Sequence, residues 1–294
     1  AREIMWDTVA GVPSSTARPF LGSLATYNPP RLGVSLYPPV LLSDMTDNEP
    51  NPGYGTWTRA DDAADVAEKL CTVLPCGDLE NYDAWAIWRC ITISNMEAMS
   101  FPELMAAALN KLQAAQHRMA EISLLNATLA SPYMRSVETE SNDFATSINL
   151  FEQIARLAAL FREEERIGDQ VFDVWLPRWV IPALQVDLLR MRRTSGRFND
   201  RFVSEAEIRS AFRTVGVDPT FVMDNATAWP DVPALVDGDP IPDFPADIPW
   251  FLSPKGNIRA LRRPDLNLGV TNAPNTVRND PEIKTNRFTM FWES

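Results

Sequence analysis

Histidine is almost absent from this chain: His117 is the only one in 294 residues. Histidine is the usual general base and a common metal ligand near neutral pH, so a chain with one histidine lacks the side chains that most acid–base catalysis and most zinc sites use. Cys71, Cys76 and Cys90 do not have zinc-site spacing with His117, and Glu121 follows His117 where a dinuclear carboxylate site needs it three residues before. No phosphate loop, nucleophile elbow or H-E-x-x-H motif occurs either. We therefore expect no enzyme activity and no catalytic, cofactor-binding or metal-binding residues.

Disulfide frameworks, membrane spans and basic surfaces are equally unsupported. Three cysteines without a repeat favour a reducing compartment. No run of about 18 apolar residues occurs, and the N-terminus lacks a secretory pattern, so we expect a soluble, non-exported protein without a membrane partner. The formal net charge is −12. A chain with this negative charge is not expected to bind the phosphates of nucleic acid tightly, so any contact with DNA should be loose and non-specific.

The longest periodic stretch runs from Ser100 to Pro132 and predicts one helix of roughly 30 residues, about 45 Å long. Ser100 and Glu103 have capping-box spacing, Pro102 falls in the first turn, and Pro132 ends the pattern. Apolar residues recur at spacings of three and four, which predicts a buried stripe of Leu104, Ala108, Leu112, Ala115, Met119, Ile122 and Leu125.

Extended structure is predicted before this helix. The proline-rich residues 1–40 offer no helical period, and their apolar anchors Phe20 and Leu21 must be buried on the chain's own body or on a neighbour. Residues 83–95 form a predicted strand that is apolar on both faces. Trp85 and Trp88 in this strand are compatible both with an ordinary core and with contact to another chain.

The second half alternates helices and strands, which favours a mixed α/β module. The predicted helices cover 147–167, 181–193 and 204–216, with Gly168 and Gly216 at helix ends and a capping box at Ser204 and Glu207; predicted strands cover 171–175, 220–223, 250–252, 258–261 and 287–292. The last strands are expected to pack on the long helix.

Charge is segregated in this half. Between Arg178 and Arg213 there are eight arginines and four acids, whereas residues 214–254 hold seven aspartates and no base. Opposite patches can register identical subunits around a ring, although a solvated loop or, less well supported, a calcium site also fits the aspartates. Together with the tryptophans, this gives a predicted set of subunit-contact residues: Trp6, Trp57, Trp85, Trp88, Arg190, Arg192, Arg193, Asp237, Asp239 and Asp243.

Short segments in a fixed order carry a family resemblance. They are Trp88–Asn95, Phe101–Glu103, Arg118–Leu125, Leu176–Trp179, Val186–Leu189, Val215–Pro219, Phe251–Gly256, Leu266–Val270 and Asn286–Glu293. In this order, over about two-thirds of the chain, the sequence resembles the major capsid proteins of tailed double-stranded DNA phages, a fold shared with bacterial encapsulin shells.

The resemblance implies an α+β phage-capsid fold. Residues 1–40 would be an N-terminal arm, 41–99 an extended-loop region that lies over a neighbour, 100–145 with 250–294 a peripheral domain whose long spine helix packs on a β-sheet, and 146–249 a mixed α/β axial domain. No Lys–Asn pair for covalent cross-linking is evident, so we expect non-covalent assembly. The absent initiator methionine before Ala1 fits both methionine removal and maturation cleavage.

The expected function is therefore structural: hexamers and pentamers of the chain would form an icosahedral shell around phage DNA. The shell would assemble in the bacterial host cytoplasm and become the virion capsid, with scaffolding, portal or decoration proteins as further partners. One alternative is an encapsulin-like compartment. Another, from a different class, is a cytoplasmic carboxylate-dependent hydrolase, which predicts a compact monomer.

Overall fold

Helices and short sheets alternate along the chain in an α+β fold. The computed structural model describes residues 14–28, 33–37, 42, 56–64, 78–83, 87–94, 100, 102–130, 134–140, 146–194, 203–224, 245, 247–262, 270–271 and 287–293. The helices are α1 (Pro19–Ser23), α2 (Arg59–Ala64), α3 (Pro102–Leu129), α4 (Thr146–Glu164), α5 (Val180–Thr194) and α6 (Glu205–Thr214).

The strands are β1 (Ala25–Tyr27), β2 (Gly33–Leu36), β3 (Glu80–Asp83), β4 (Trp88–Ser94), β5 (Arg135–Glu140), β6 (Phe172–Pro177), β7 (Val217–Val222), β8 (Asp247–Pro254), β9 (Arg259–Leu261), β10 (Val270–Thr271) and β11 (Arg287–Glu293). They form a four-stranded sheet and three smaller sheets in the described part of the chain.

The four-stranded sheet has the order β5-β8-β6-β7. β8 pairs antiparallel with both β5 and β6, while β6 and β7 are parallel. A parallel pair needs a crossover connection, and α5 and α6 supply it. β5 lies in the range expected for the peripheral domain and β6 in the range expected for the axial domain, so this sheet combines strands from both sides of the expected boundary.

Side chains alternate between the two faces of this sheet, and both faces are buried. The helix face packs against α4, α5 and α6; its buried residues include Phe172, Val174, Leu176, Val217, Phe221, Ile248, Trp250 and Leu252. The opposite face, which we call the strap face, contributes Trp175, Val222 and Phe251 to a second cluster with α1 and α3.

Local sequence chemistry accounts for several element ends. The predicted capping box of α6 is present, since Glu207 N–H donates to Ser204 Oγ and Ser204 N–H donates to the Glu207 carboxylate. Gly216 follows α6 with φ of 77°, a conformation that favours glycine. At the end of α4 the positive φ occurs at Arg166 and not at the predicted Gly168.

The long helix forms as predicted, but the prediction of its buried face holds only in part. Leu125 of the predicted stripe is buried, whereas Met119, central to that stripe, is 56% exposed. The other buried side chains among those described on α3 are Gln116, Ala120 and Glu121, which lie outside the stripe. Burial here follows hydrogen bonding to another segment, which an apolar period cannot reveal.

Three smaller sheets complete the described part. β11 lies between β10 and β4, and both pairings are antiparallel. β2 and β3 form a two-stranded antiparallel ribbon, and β1 runs parallel to β9.

Candidate interaction surfaces

Residues 14–24, which we call the strap, lie along α3. Ser14 N–H donates to Asn110 Oδ1 at 3.2 Å, and Thr16 O is 2.7 Å from His117 Nδ1. Because a carbonyl oxygen only accepts, Nδ1 of His117 carries the proton in this contact. His117 is therefore engaged in holding the strap.

Glu121 continues the same row of α3 one turn further on and is fully buried. Its carboxylate accepts the N–H groups of Phe20 at 2.8 Å and Leu21 at 3.2 Å, and Arg18 Nε lies 3.5 Å from Oε1. A carboxylate that accepts free amides at the start of α1 is favourably placed, because these amides have no intrahelical partner. A spacing of four residues between His117 and Glu121 was visible in the sequence, but nothing there indicated that an extended segment would lie on it.

α1 lies between α3 and the strap face of the sheet. Trp175 Nε1 donates to Ser23 Oγ at 2.8 Å, and the Phe20 ring packs edge-on to Trp175 and Phe251 with centroid distances of 5.7 and 5.9 Å. Phe20 and Leu21 are thus buried on the chain's own body, which resolves the alternative left open for these two anchors.

Several large apolar side chains of β4 and of the β2–β3 ribbon are exposed. Trp88 at the start of β4 is 73% exposed. The β2–β3 ribbon and the residues beside it expose Leu36, Tyr37, Leu79 and Tyr82. Within the described part of the chain this ribbon pairs with no further strand, and a two-stranded ribbon by itself is marginally stable in water.

The predicted contact residues are only partly described. Trp6, Trp85, Asp237, Asp239 and Asp243 lie outside the described residues. Trp57 precedes α2, is 41% exposed, and its Nε1 donates to Asp62 Oδ1 at 3.5 Å.

The three predicted arginines lie at the end of α5. Arg190 and Arg193 are exposed, while Arg192 is 3.4 Å from Glu207 on α6. Elsewhere Arg213 pairs with Asp218 at 3.3 Å, and Arg118 on α3 pairs with Asp224 at 3.3 Å. Part of the basic and acidic segregation is therefore neutralised within one chain.

A charged corner forms where β6, β7 and the turn after β8 meet. Lys255 Nζ is 2.9 Å from Asp218 Oδ2 and 3.8 Å from Asp173 Oδ1, and the guanidinium of Arg213 donates to Asp218 at 3.3 Å. Asp173 and Asp218 are neighbours in the register of β6 and β7. This corner was not predicted from the sequence, because the pairing of β6 with β7 was needed to bring the two aspartates together.

The pKa values of these two aspartates are shifted in opposite directions. The hydrogen bond from Lys255 holds the pKa of Asp218 below its ordinary value, with Arg213 acting in the same direction. Burial raises the pKa of Asp173, although the Lys255 charge opposes this. The hydrogen bond to Asp218 also raises the pKa of Lys255, so its amine stays protonated and is a poor nucleophile. The corner is therefore a structural ion-pair network, and Lys255 in it is not activated as a nucleophile.

An open groove of about 500 Å³ lies between β5 and α4. Its walls include Val137, Leu157, Leu160 and Trp250. Below it, Trp250 Nε1 donates to Thr139 Oγ1 at 2.7 Å, and Thr139 Oγ1 donates to Gln153 Oε1 at 2.6 Å. These groups are satisfied by one another. Glu138 and Arg156 also line the groove, whose surface is otherwise mainly apolar.

Among the described residues, no group of three or more histidine, cysteine, aspartate or glutamate side chains could hold a metal ion. None of the described helices is long and apolar enough to cross a membrane. Comparison with protein-family models, with curated proteins and with solved structures found no match to this chain.

Proposed function

We propose that this chain is the repeating subunit of a closed shell, a major capsid protein of the tailed-phage type that packs as hexamers and pentamers around double-stranded DNA. The observation that carries the proposal is the exposed β2–β3 ribbon, whose apolar side chains face solvent in a single chain. A ribbon of this kind requires another surface, and a neighbouring copy of the same chain supplies one in every position of a shell.

The long helix supports the same proposal. α3 has 28 residues and a length of about 42 Å, and in the described residues it belongs to no group of side chains that could hold a metal ion. Its polar row is used to bind the strap, while Met119 on its other side remains exposed. Such a helix would act as a rigid spine to which the strap is attached. In the capsid proposal it is the spine helix of the peripheral domain.

The packed helices α4, α5 and α6, together with β6 and β7, are assigned to the axial domain in this proposal, and Arg190 and Arg193 are assigned to contacts around the symmetry axis. Contacts between copies would be non-covalent. They would rest mainly on apolar side chains. The net negative charge of each chain would not prevent assembly, because charges separated by more than about 8–10 Å are screened at physiological salt.

The proposal is tested by substituting the exposed side chain of Trp88. Trp88→Glu should leave thermal unfolding of the single chain nearly unchanged, since the side chain is largely in water, but it should reduce the yield of large particles in light scattering. Leu160→Glu is a matched control, because Leu160 is also exposed but lies on α4 in the groove and outside the proposed contacts. Equal particle yields from both variants and the unsubstituted chain would remove Trp88 from the proposed contact.

The arginines at the end of α5 are tested by charge reversal. Arg192→Glu with Arg193→Glu should hinder ring formation. Arg193→Glu alone is the cleaner variant, because Arg192 already pairs with Glu207 within the chain. Normal particles from both variants would show that these charges do not hold copies together.

A further inference from the structure

The hydrogen bonds between α3 and the strap are made to the backbone of the strap. Asn110, His117 and Glu121 bind the main chain at Ser14, Thr16, Phe20 and Leu21. The first part of the strap, up to Arg18, has no fully buried side chain, whereas Phe20, Leu21 and Leu24 are buried. Residues 14–18 are therefore the part that opens most readily, and Glu121 lies where this part meets the buried residues of α1.

The strap also separates two parts of the molecule. Its α1 turn contacts α3 through Glu121 and Leu125, and it contacts the sheet through Trp175 and Phe251. Arg118 on α3 also pairs at 3.3 Å with Asp224, which follows β7, and the Arg118 side chain is 59% exposed. A partly exposed pair contributes little. Leu125 of α3 meets the sheet in the apolar cluster that Phe20 and Leu21 of the strap share, so the strap is one of the main contacts that link α3 to the sheet.

We propose that the strap is a releasable lock: with Glu121 as its latch, it fixes the long helix α3 against the four-stranded sheet, and its opening lets α3 move while the sheet stays folded. This goes beyond the proposed function and does not depend on shell assembly, because every contact involved lies within one chain.

Glu121 is the latch because its fully buried carboxylate accepts two backbone N–H groups at once, those of Phe20 and Leu21. Arg18 Nε lies 3.5 Å from the same carboxylate as an ion pair without a hydrogen bond. Glu121→Gln removes the charge and turns one acceptor oxygen into an NH₂ group that faces an N–H donor. The closed strap then loses charge-assisted hydrogen bonds, while the helix face of the sheet is untouched.

Hydrogen exchange of the full chain tests the opening. In Glu121→Gln the amides of Phe20 and Leu21 should exchange at least roughly tenfold faster than in the unsubstituted chain, while the amides of β6 keep their rates. Glu163→Gln, an exposed substitution on α4, is the matched control and should change neither set. Unchanged exchange at Phe20 and Leu21, or equal acceleration in β6, would overturn the lock.

A distance measurement tests the link between α3 and the sheet. Spin labels at Met119→Cys on α3 and Leu160→Cys on α4, both exposed, are introduced into a chain with its three cysteines replaced by serine. The distance distribution should be narrow when Glu121 is retained and broad when Glu121→Gln is added. If the strap amides exchange faster but the distribution stays narrow, the strap opens without locking anything, and the proposal is wrong. Should Glu121→Gln not fold, Glu121→Asp keeps the charge with a shorter reach and should give the same changes at smaller size.

Discussion

The two faces of the four-stranded sheet are covered in different ways. On the helix face, α4, α5 and α6 bring apolar side chains such as Leu150, Ile154 and Phe212 onto the sheet, and all three are fully buried. On the strap face, an aromatic cluster around Phe20 is held by hydrogen bonds to Glu121 and Ser23. The helix face thus depends on burial of apolar area, and the strap face depends on a few directed polar contacts as well.

This difference explains why burial on the helix face is easier to predict from the sequence than burial on the strap face. Apolar burial on a helix follows a period of 3.6 residues and can be read from the chain, whereas a buried carboxylate such as Glu121 resembles an ordinary surface residue until its partner is located. The difference also indicates that substitutions on the two faces have different consequences. A cavity on the helix face lowers the stability of the whole module, whereas loss of a hydrogen-bond acceptor on the strap face lets one segment open locally.

The largest expected effect comes from a cavity on the helix face. Phe212→Ala removes a fully buried ring whose centroid lies 4.5 Å from that of Phe151. We expect the free energy of unfolding to fall by about 3–5 kcal/mol. Denaturant unfolding followed by circular dichroism measures this loss, and Phe212→Leu should lose less. A loss from Phe212→Ala no larger than that of an exposed substitution would contradict the assigned core.

A buried carboxylate also occurs on the helix face, so the two faces can be compared through the same kind of group. Asp187 on α5 accepts Ser147 N–H at 2.9 Å and the Ser147 hydroxyl at the start of α4. Asp187→Ala should cost about 1–3 kcal/mol, because it leaves these buried donors without that acceptor. Asp187→Asn retains one acceptor oxygen and should cost less. Equal unfolding midpoints for the two variants would show that the hydrogen bond to Ser147 contributes nothing.

On the strap face, the corresponding substitution is Ser23→Ala. It removes the acceptor of Trp175 Nε1, and we expect a loss of about 0.5–1.5 kcal/mol together with a change in near-ultraviolet circular dichroism. Ser14→Ala serves as control, since Ser14 contacts Asn110 through its backbone N–H and keeps this contact. If both substitutions have the same effect, the bond to Trp175 does not hold the strap.

The smallest effect is expected at the charged corner, where two aspartates should respond in opposite directions. The lowered pKa of Asp218 means that it contributes stability above its unfolded pKa of about 3.9, and this stability is lost as pH falls through the folded pKa. The raised pKa of Asp173 means that its contribution is present when it is protonated and is lost as pH rises through the folded pKa.

At neutral pH, Asp218→Asn should therefore reduce stability by at most about 1 kcal/mol, because the pair with Lys255 is partly exposed. Asp173→Asn should be neutral or slightly stabilising at the same pH. Urea unfolding of both variants between about pH 3 and pH 7 makes the comparison. A larger loss from Asp173→Asn than from Asp218→Asn would reverse the assignment of the two carboxyl groups.

Much of the secondary structure was predictable from local patterns. The long helix, the capping box of α6 and the strand Phe172–Pro177 follow from capping residues, helix period and β-branched or aromatic content. The burial of Glu121 on α3 was not predictable, since it is set by the strap's backbone donors, which come from residues about 100 positions away. For the same reason Glu121 was considered only as a metal ligand and rejected.

The candidate contact surfaces were predictable only in outline. Trp88, Arg190 and Arg193, which are predicted subunit-contact residues, are exposed in the single chain, and their contact with another copy stays a prediction. The pairing of Arg192 with Glu207 was not foreseen, because segregation along a sequence does not indicate which charges meet in space. Strand pairing and helix packing decide that, as the corner of Asp173, Asp218 and Lys255 also illustrates.

The most direct test of the proposed function is negative-stain electron microscopy of the purified full-length chain under assembly conditions. The account predicts closed particles with diameters of tens of nanometres, built from many copies of the 33.0 kDa chain. Particles recovered from host cells should contain double-stranded DNA; protein cargo in its place would point to an encapsulin-like compartment. A lasting monomer under conditions of salt, concentration and crowding that favour assembly would contradict the account.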